Sequence, residues 1–309
     1  MNTPRFPIGD AGPSPAGPEV ASAAPVPRAR NQRRGNVVRV VLRRPASAVS
    51  VGFVALLLLL AFVGPLVAPH NPDTQNLANA FAGPSWSHVF GTDDFGRDVA
   101  SRIIVASRIT ILAPVISVGI AVLIGLPLGL LAAVRRGWVD STTSRLADTV
   151  LALPALVGAL AIVAVLGPGL VTTMIAVGII FSPTMFRVVR GAAVSVAEET
   201  FVRSATAIGA SQRRILAVHV LPNIAAPLMV QVTILMGVAL LVEASLSFLG
   251  LGVQPPDASW GSMLKAAYAS QFKSPYAVVP PGLALLLTVL AFNTIGDAIR
   301  DAIGVRRRA

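Results

Sequence analysis

The sequence predicts an all-α membrane protein with six spanning helices, and three observations carry that reading. Of 309 residues, 54% are hydrophobic and only 13% are charged, with a mean hydropathy of +0.73; an average soluble domain is roughly 25% charged. The apolar residues fall in charge-free runs of the length that crosses a bilayer core, about 20 residues. The net charge of +11 is spread unevenly along the chain. In a soluble protein such an excess points to nucleic acid. In a chain this apolar it points to membrane topology, because Lys and Arg collect in cytoplasmic loops.

Taken in order, residues 1–44 are rich in Pro, Ala and Arg and lack apolar periodicity. They are read as a disordered cytoplasmic tail, since such a segment cannot bury enough surface to offset ordering entropy. A secretory signal is not expected, because a long polar stretch precedes the first apolar run. The spanning domain is placed at 45–304. Its first span, 49–67, lies in the uncharged stretch 45–69, and its second, 109–134, lies between Arg108 and Arg135. Residues 149–186 are 38 uncharged positions, too many for one span. Gly167-Pro168-Gly169 marks a turn within them, so spans three and four are read as a hairpin, 149–166 and 170–186. The fifth span is 224–248 and the sixth 278–295, followed by a basic C-terminus at 305–309. Outer loops are expected at 68–108 and 249–277, and a cytoplasmic loop at 187–223.

With alternating crossings, one side receives 20 Lys and Arg and the other 5, namely Arg97, Arg102, Arg108, Lys265 and Lys273. This places both termini in the cytoplasm of a multi-pass protein and supports an even number of spans. Anionic lipid is the natural contact of the Arg-rich segment 28–44, and a nucleic-acid or scaffold role for it is disfavoured because its arginines stand where a topology signal belongs.

The sequence has no Cys and three widely spaced His. Disulfides and thiolate chemistry are excluded, and no metal centre is expected. No phosphate-cradling Gly loop or catalytic constellation is present. The chain therefore has no catalytic and no cofactor-binding residues of its own, and any ATP hydrolysis belongs to another subunit. Span interiors lack ionisable residues apart from Glu243, which disfavours an ion-coupled carrier. Glu243 lies about five residues from the outer end of span five. It is read either as a solvated or Arg-paired structural group or as part of an outer gate.

Two blocks carry most of the remaining information. In 187–223, helical spacing predicts one helix over 195–208 with Gly209 as C-cap. Ser211 would cap a second helix, which Pro222 would end. Together they form a cytoplasmic knob suited to a partner's groove, or else an interfacial helix on lipid. In 90–108, Gly91, Asp93, Asp94 and Gly96 predict a tight turn with Asx capping. Asp98 and Arg102 are spaced to pair on a helix.

The knob resembles the cytoplasmic loop of bacterial ABC-importer permeases, EAA-x3-G-x9-I-x-L-P. Ala205, Gly209, Leu221 and Pro222 match. Arg203 stands in place of Glu, Ser204 in place of Ala and His219 in place of Ile, and His before Leu-Pro-Asn223 is familiar in the peptide branch. Residues 90–108 (FGTDDFGRDVASRIIVASR) and 243–261 (EASLSFLGLGVQPPDASWG) resemble outer blocks of the C-type permeases of dipeptide, oligopeptide and nickel importers.

The resemblance implies the type I permease fold and uptake of di- or oligopeptides, with nickel or glutathione-like compounds as alternatives. It implies a second related permease, one or two ATPase subunits carrying ATP and Mg, and an extracytoplasmic substrate-binding protein. It assigns ATPase coupling to Arg203, Ser204, Ala205, Gly209, His219, Leu221, Pro222 and Asn223, with Ala205 letting the helix sit close to the partner. It places Asp93, Asp94, Arg97, Asp98, Glu243 and Trp260 on the outer, binding-protein side, with Trp260 expected at the membrane interface.

Overall fold

The computed structural model describes residues 41–135 and 137–308. The expected disordered tail lies, for residues 1–40, outside the described residues, as do Arg136 and Ala309 of the basic segments. Residues 41–44 form a turn closed by Arg44 N–H on the Val41 carbonyl (3.4 Å).

Nine helices of eight or more residues follow in the described chain: α1 (Pro45–Val67), α2 (Val99–Val134), α3 (Trp138–Leu151), α4 (Ala155–Leu166), α5 (Leu170–Ala197), α6 (Thr200–Ala207), α7 (Gln212–Leu249), α8 (Trp260–Ala269) and α9 (Val279–Arg308). Five of them, α1, α2, α5, α7 and α9, are long and apolar enough to span a membrane, and the bent pair α3–α4 makes a sixth if it counts as one broken span. The expected third span is broken. Its N-terminal part belongs to α3, which meets α4 at 90°, and only the 12 residues of α4 run on to Gly167. At 1.5 Å per residue α4 covers about 18 Å, short of the roughly 30 Å hydrocarbon core. The break falls at Pro154, the N-cap of α4, where a helix carried through from α3 would clash with the proline ring.

Two other expectations change. The helix carrying span four does not stop before Arg187 but continues to Ala197, so Arg187 and Arg190 belong to it rather than to a loop. Both reach α3: Arg190 makes a two-pronged pair with Asp140, its Nη2–Oδ2 arm at 2.7 Å, and Arg187 reaches Asp148 at 2.5 Å. The predicted helix over 195–208 is accordingly divided at Glu198-Glu199. Pro222 does not end a helix either. It lies near the N-terminus of the α-helical part Leu221–Leu249, and Ile215–Val220 before it is a π-turn. The wider π-turn accommodates a residue that lacks an N–H and cannot close an i→i−4 bond.

The core is built around α2 and α5. Gly125 and Gly129 of α2 sit one turn apart against α5. A Cβ on Gly125 would stand 2.7 Å from the Ser182 carbonyl, and one on Gly129 2.8 Å from the Val189 side chain. This is the small-xxx-small spacing that lets spanning helices approach closely. Val118, Ala121, Val177, Met185, Leu235 and Leu246 join α2, α5 and α7 in one apolar cluster. A second cluster gathers α1, α2, α7, α8 and α9 around Trp260. Arg44, just before α1, meets Asp301 of α9 at 2.5 Å, so the start of the first span and the end of the last lie on one side of the bundle. Gly169 N–H bonds the Leu251 carbonyl (3.0 Å) at the opposite end.

Candidate functional site

The two ends of the bundle hold the residues singled out by sequence. On the Arg44 side, α6 is a two-turn helix closed by a Schellman motif. Ala210 N–H bonds Ala205 O (3.0 Å), Gly209 N–H bonds Thr206 O (3.0 Å), and Gly209 takes φ +82°. Only glycine adopts that conformation without a side-chain clash. Ser211 caps the next turn through Arg214 N–H. The chain thus reverses within a few residues and presents a projecting knob.

Its inward face is formed by Val202 and Ala205, both buried. Ala205 therefore packs within its own chain. An eight-residue helix cannot hold its place without a buried face, and the alanine is on that face. Phe201 contacts the His219 ring (6.0 Å between centroids), and Asn223 Nδ2 donates to the His219 carbonyl (2.6 Å). The Phe201–His219 ring pair ties the knob to the start of α7, while the Asn223 bond closes a turn within α7 itself. Arg203, Ser204, Gly209, Leu221 and Pro222 are exposed, as are three apolar side chains that sequence reasoning passed over as partner contacts: Phe201, Ile208 (86% exposed) and Val218.

At the other end, the turn predicted over 91–96 forms around one carboxylate. Asp93 Oδ1 accepts the N–H groups of Phe95 and Arg97 (both 2.9 Å), and Oδ2 accepts Arg97 Nε–H (2.7 Å). Gly96 has φ +69°, and a Cβ there would collide with the Asn76 carbonyl at 1.8 Å. Asp98 and Arg102 do not pair through their side chains. Asp98 is the N-cap of α2, accepting Ser101 N–H (2.8 Å) and Ser101 Oγ–H (2.7 Å). A carboxylate aimed at the first-turn N–H groups is turned away from a residue one turn on. Burial opposes its charge, but the bonds from Ser101 and His88 outweigh that and hold Asp98 below the usual carboxylate range. Arg102, itself buried, donates to the Pro72 carbonyl (3.1 Å) and lies 3.7 Å from both Asp73 and Asp93. Asp94 is left with a buried Oδ1 that accepts no hydrogen bond and lies 3.7 Å from Arg97. Burial, then the Asp93 charge, push its acid group up. Asp73, Asp93, Asp94, Arg97 and Arg102 line a cavity of about 530 Å³, to which Pro255, Pro256 and Asp257 also contribute.

Beside this turn, His70 and His88 converge on Asp98, with His88 Nδ1 at 3.0 Å from Oδ1. Sequence spacing separates these histidines and gives no sign of the cluster, because the loop between them brings them together through contacts distant in sequence, such as His70 N–H on Ser101 Oγ.

Glu243 does not reach the surface. It is 2% exposed, and Oε1 accepts Ser247 Oγ–H (2.7 Å), while no arginine approaches it among the described residues. Ser247 Oγ in turn accepts Val253 N–H (3.2 Å). The loop after α7 folds back over the carboxylate, so it lies deeper than its distance from the helix end suggested. Trp260 is likewise interior, at 1% exposure, not at an interface. Its backbone N–H bonds Thr110 Oγ1 (3.1 Å) and its indole N–H the Ile103 carbonyl (3.0 Å). An indole whose N–H is satisfied by α2 has no need of the interface, and it locks α8 onto that helix.

Comparison with known proteins agrees with this architecture. Residues 125–309 match the family model described as "Binding-protein-dependent transport system inner membrane component", and residues 34–84 match "N-terminal TM domain of oligopeptide transport permease C". A dipeptide transport system permease of Alkalihalophilus pseudofirmus is 40% identical over 252 residues, covering 82% of this chain and 83% of that protein. A glutathione transport system permease of Escherichia coli O1:K1 is 44% identical over 255 residues, 81% and 83% of the two chains. Among solved structures, the inward-facing MetNI methionine ABC transporter superposes with a TM-score of 0.55 at 18% identity, over 65% of this chain and 96% of that one, which speaks to the fold. With the two motif-bearing ends and the multi-pass bundle in place, the chain belongs to the binding-protein-dependent inner-membrane transport components, as a C-type permease subunit of an ABC importer.

Proposed function

We propose that this permease takes up di- or oligopeptides across the bacterial cytoplasmic membrane, pairing with a second, related permease. ATP and Mg bind one or two separate ATPase subunits, and an extracytoplasmic protein delivers the substrate. Both termini are cytoplasmic. The proximity of Arg44 and Asp301 supports an even number of crossings, and the segregation of basic residues gives the direction.

The observation that carries the reading is the knob. Phe201, Ile208 and Val218 are exposed beside Arg203 and Ser204, a small apolar surface rimmed by polar groups of the kind that seats in a partner's groove. Arg203, Ser204, Gly209, Leu221 and Pro222 form or flank the docking surface, while Ala205 and His219 hold its shape and Asn223 closes a turn within α7. At the outer end, Asp94 and Arg97 line the cavity toward the binding protein. Asp93, Asp98, Glu243 and Trp260 hold that end together, and the burial of Glu243 favours a structural over a gating role.

The test is reconstitution of the full complex in proteoliposomes. Binding protein with peptide is expected to stimulate ATP hydrolysis, and Ile208→Asp to abolish the stimulation while the complex still inserts. Uptake that persists without ATPase subunits and follows a proton gradient would overturn the reading in favour of an ion-coupled carrier. A glutathione-type substrate is the second reading, favoured by the 44% identical relative. Affinity of the cognate binding protein for peptides against glutathione decides between them.

A further inference from the structure

We propose that His70, His88 and Asp98 form a site for a divalent transition-metal ion of the zinc class, at the outer end of the bundle. One ligand atom from each residue lies within 4.8 Å of the others. His88 Nδ1 is 3.0 Å from Asp98 Oδ1, and His70 Nδ1 is 3.8 Å from Asp98 Oδ2. A tetrahedral zinc ion with bonds of about 2.0–2.2 Å separates its ligand atoms by roughly 3.3 Å. The two histidine–carboxylate spacings, made to different oxygens of Asp98, lie on either side of that value, and the half-exposed His70 ring can close the wider gaps, which reach up to 4.8 Å, by rotating about its side-chain bonds.

Hydrogen bonding alone does not explain the cluster. Capping α2 requires only the Asp98 carboxylate, and Ser101 supplies its contacts on Oδ2. His88 satisfies Oδ1. The His70 ring faces the same carboxylate at 3.8 Å, beyond hydrogen-bond reach, and its centroid is 4.8 Å from that of His88. Two imidazoles directed at one buried carboxylate are the donor set that zinc-class ions select.

The support around the ligands is built as well. Ser101 Oγ donates to Asp98 Oδ2 and accepts the backbone N–H of His70 (3.0 Å), and Ser85 Oγ accepts the backbone N–H of His88 (3.1 Å). These bonds fix the backbone from which each imidazole projects, and the Ser101 bond orients the carboxylate. The three residues come from the segment after α1, from the middle of the outer loop and from the cap of α2. A bound ion would therefore fasten the outer ends of the first two spans together. Its fourth position would remain open to water or to a group from outside.

The experiment uses the full-length chain carrying a histidine-free affinity tag, stripped with EDTA and dialysed against Zn2+. One zinc per chain is expected by elemental analysis, with affinity falling at least about tenfold in His70→Ala and in His88→Gln and unchanged in His219→Ala. Zn2+ is further expected to raise the melting temperature of the wild type and not that of His70→Ala. His70 is exposed and its backbone bond survives the substitution, so this variant folds. Absence of stoichiometric zinc overturns the proposal, as does equal zinc content or an equal melting shift in wild type and His70→Ala, which would mark adventitious binding.

Discussion

The two ends of this permease are built on opposite principles. At the outer end nearly every motif residue is consumed internally. Asp93 closes a turn, Asp98 caps α2, Arg102 bridges three segments, and Trp260 and Glu243 are buried. At the knob end the motif spends only Val202, Ala205 and His219 on holding its shape, and leaves Phe201, Ile208 and Val218 in the open. Motif residues of equal prominence thus do different work. Those around Asp93 and Trp260 hold segments together, and those at the knob present a surface. Substitutions at the outer end should therefore register as lost stability, and substitutions at the knob as lost coupling.

The largest effect expected is at Trp260. Trp260→Ala removes a fully buried indole and both hydrogen bonds to α2. It should cost about 3–5 kcal/mol, read as a fall in the melting temperature of the solubilised chain. Asp93→Ala is next, at about 2–3 kcal/mol, because charge-assisted bonds to Arg97 and to two backbone N–H groups are lost and leave donors unpaired. If either variant melted like the wild type, the outer end would not be architecture and the contrast would fail.

The contrast also explains what the sequence could disclose. Charge-free runs locate spans because lipid tolerates nothing else, so α1, α2, α5, α7 and α9 were visible. The continuation of α5 past Arg187 and Arg190 was not, since those charges are matched by Asp148 and Asp140 of α3, and no local pattern links the two helices. Pro222 reads as a stop until the π-turn before it is known. Gly209 and Ser211 were legible because capping is local chemistry. The depth of Glu243 and Trp260 and the meeting of His70 with His88 were not, because each depends on a loop folding back from elsewhere in the chain.

At the knob, Gly209→Ala forces a Cβ into φ +82° and should cost about 1 kcal/mol, less than either outer variant. Ile208→Asp should change stability by no more than about 0.5 kcal/mol, as for an exposed position, while lowering binding-protein-stimulated ATP hydrolysis at least tenfold. The two measurements made on one preparation sharpen the comparison. A variant with normal melting and lost stimulation identifies a surface, and one with lost melting identifies a support.

Asp94 gives the smallest effect and the finest test, since it sits in the architectural turn yet contributes only a 3.7 Å ion pair with Arg97. Its acid group is pushed up by burial and by the neighbouring Asp93 charge, so folding shifts it toward the neutral form relative to the unfolded chain. A folded-state value above the unfolded one means that its contribution is fully present below the ordinary carboxylate range, near pH 4. That contribution is lost as pH rises through the raised value. Wild type should therefore lose a small increment of stability on going up through that window. Asp94→Asn should not, and its melting temperature should equal or slightly exceed that of the wild type near neutral pH. With the turn intact in this variant, Asp94→Lys becomes an informative probe of the cavity mouth. Weaker association of the binding protein is expected, with a fall in melting temperature smaller than that of Asp93→Ala, since the new ammonium faces Arg97. Asp93→Lys cannot serve, because it dismantles the turn itself. If Asp94→Asn instead melted far below the wild type, the carboxylate would be a support like its neighbour, and the outer end would hold no group free for a partner at that position.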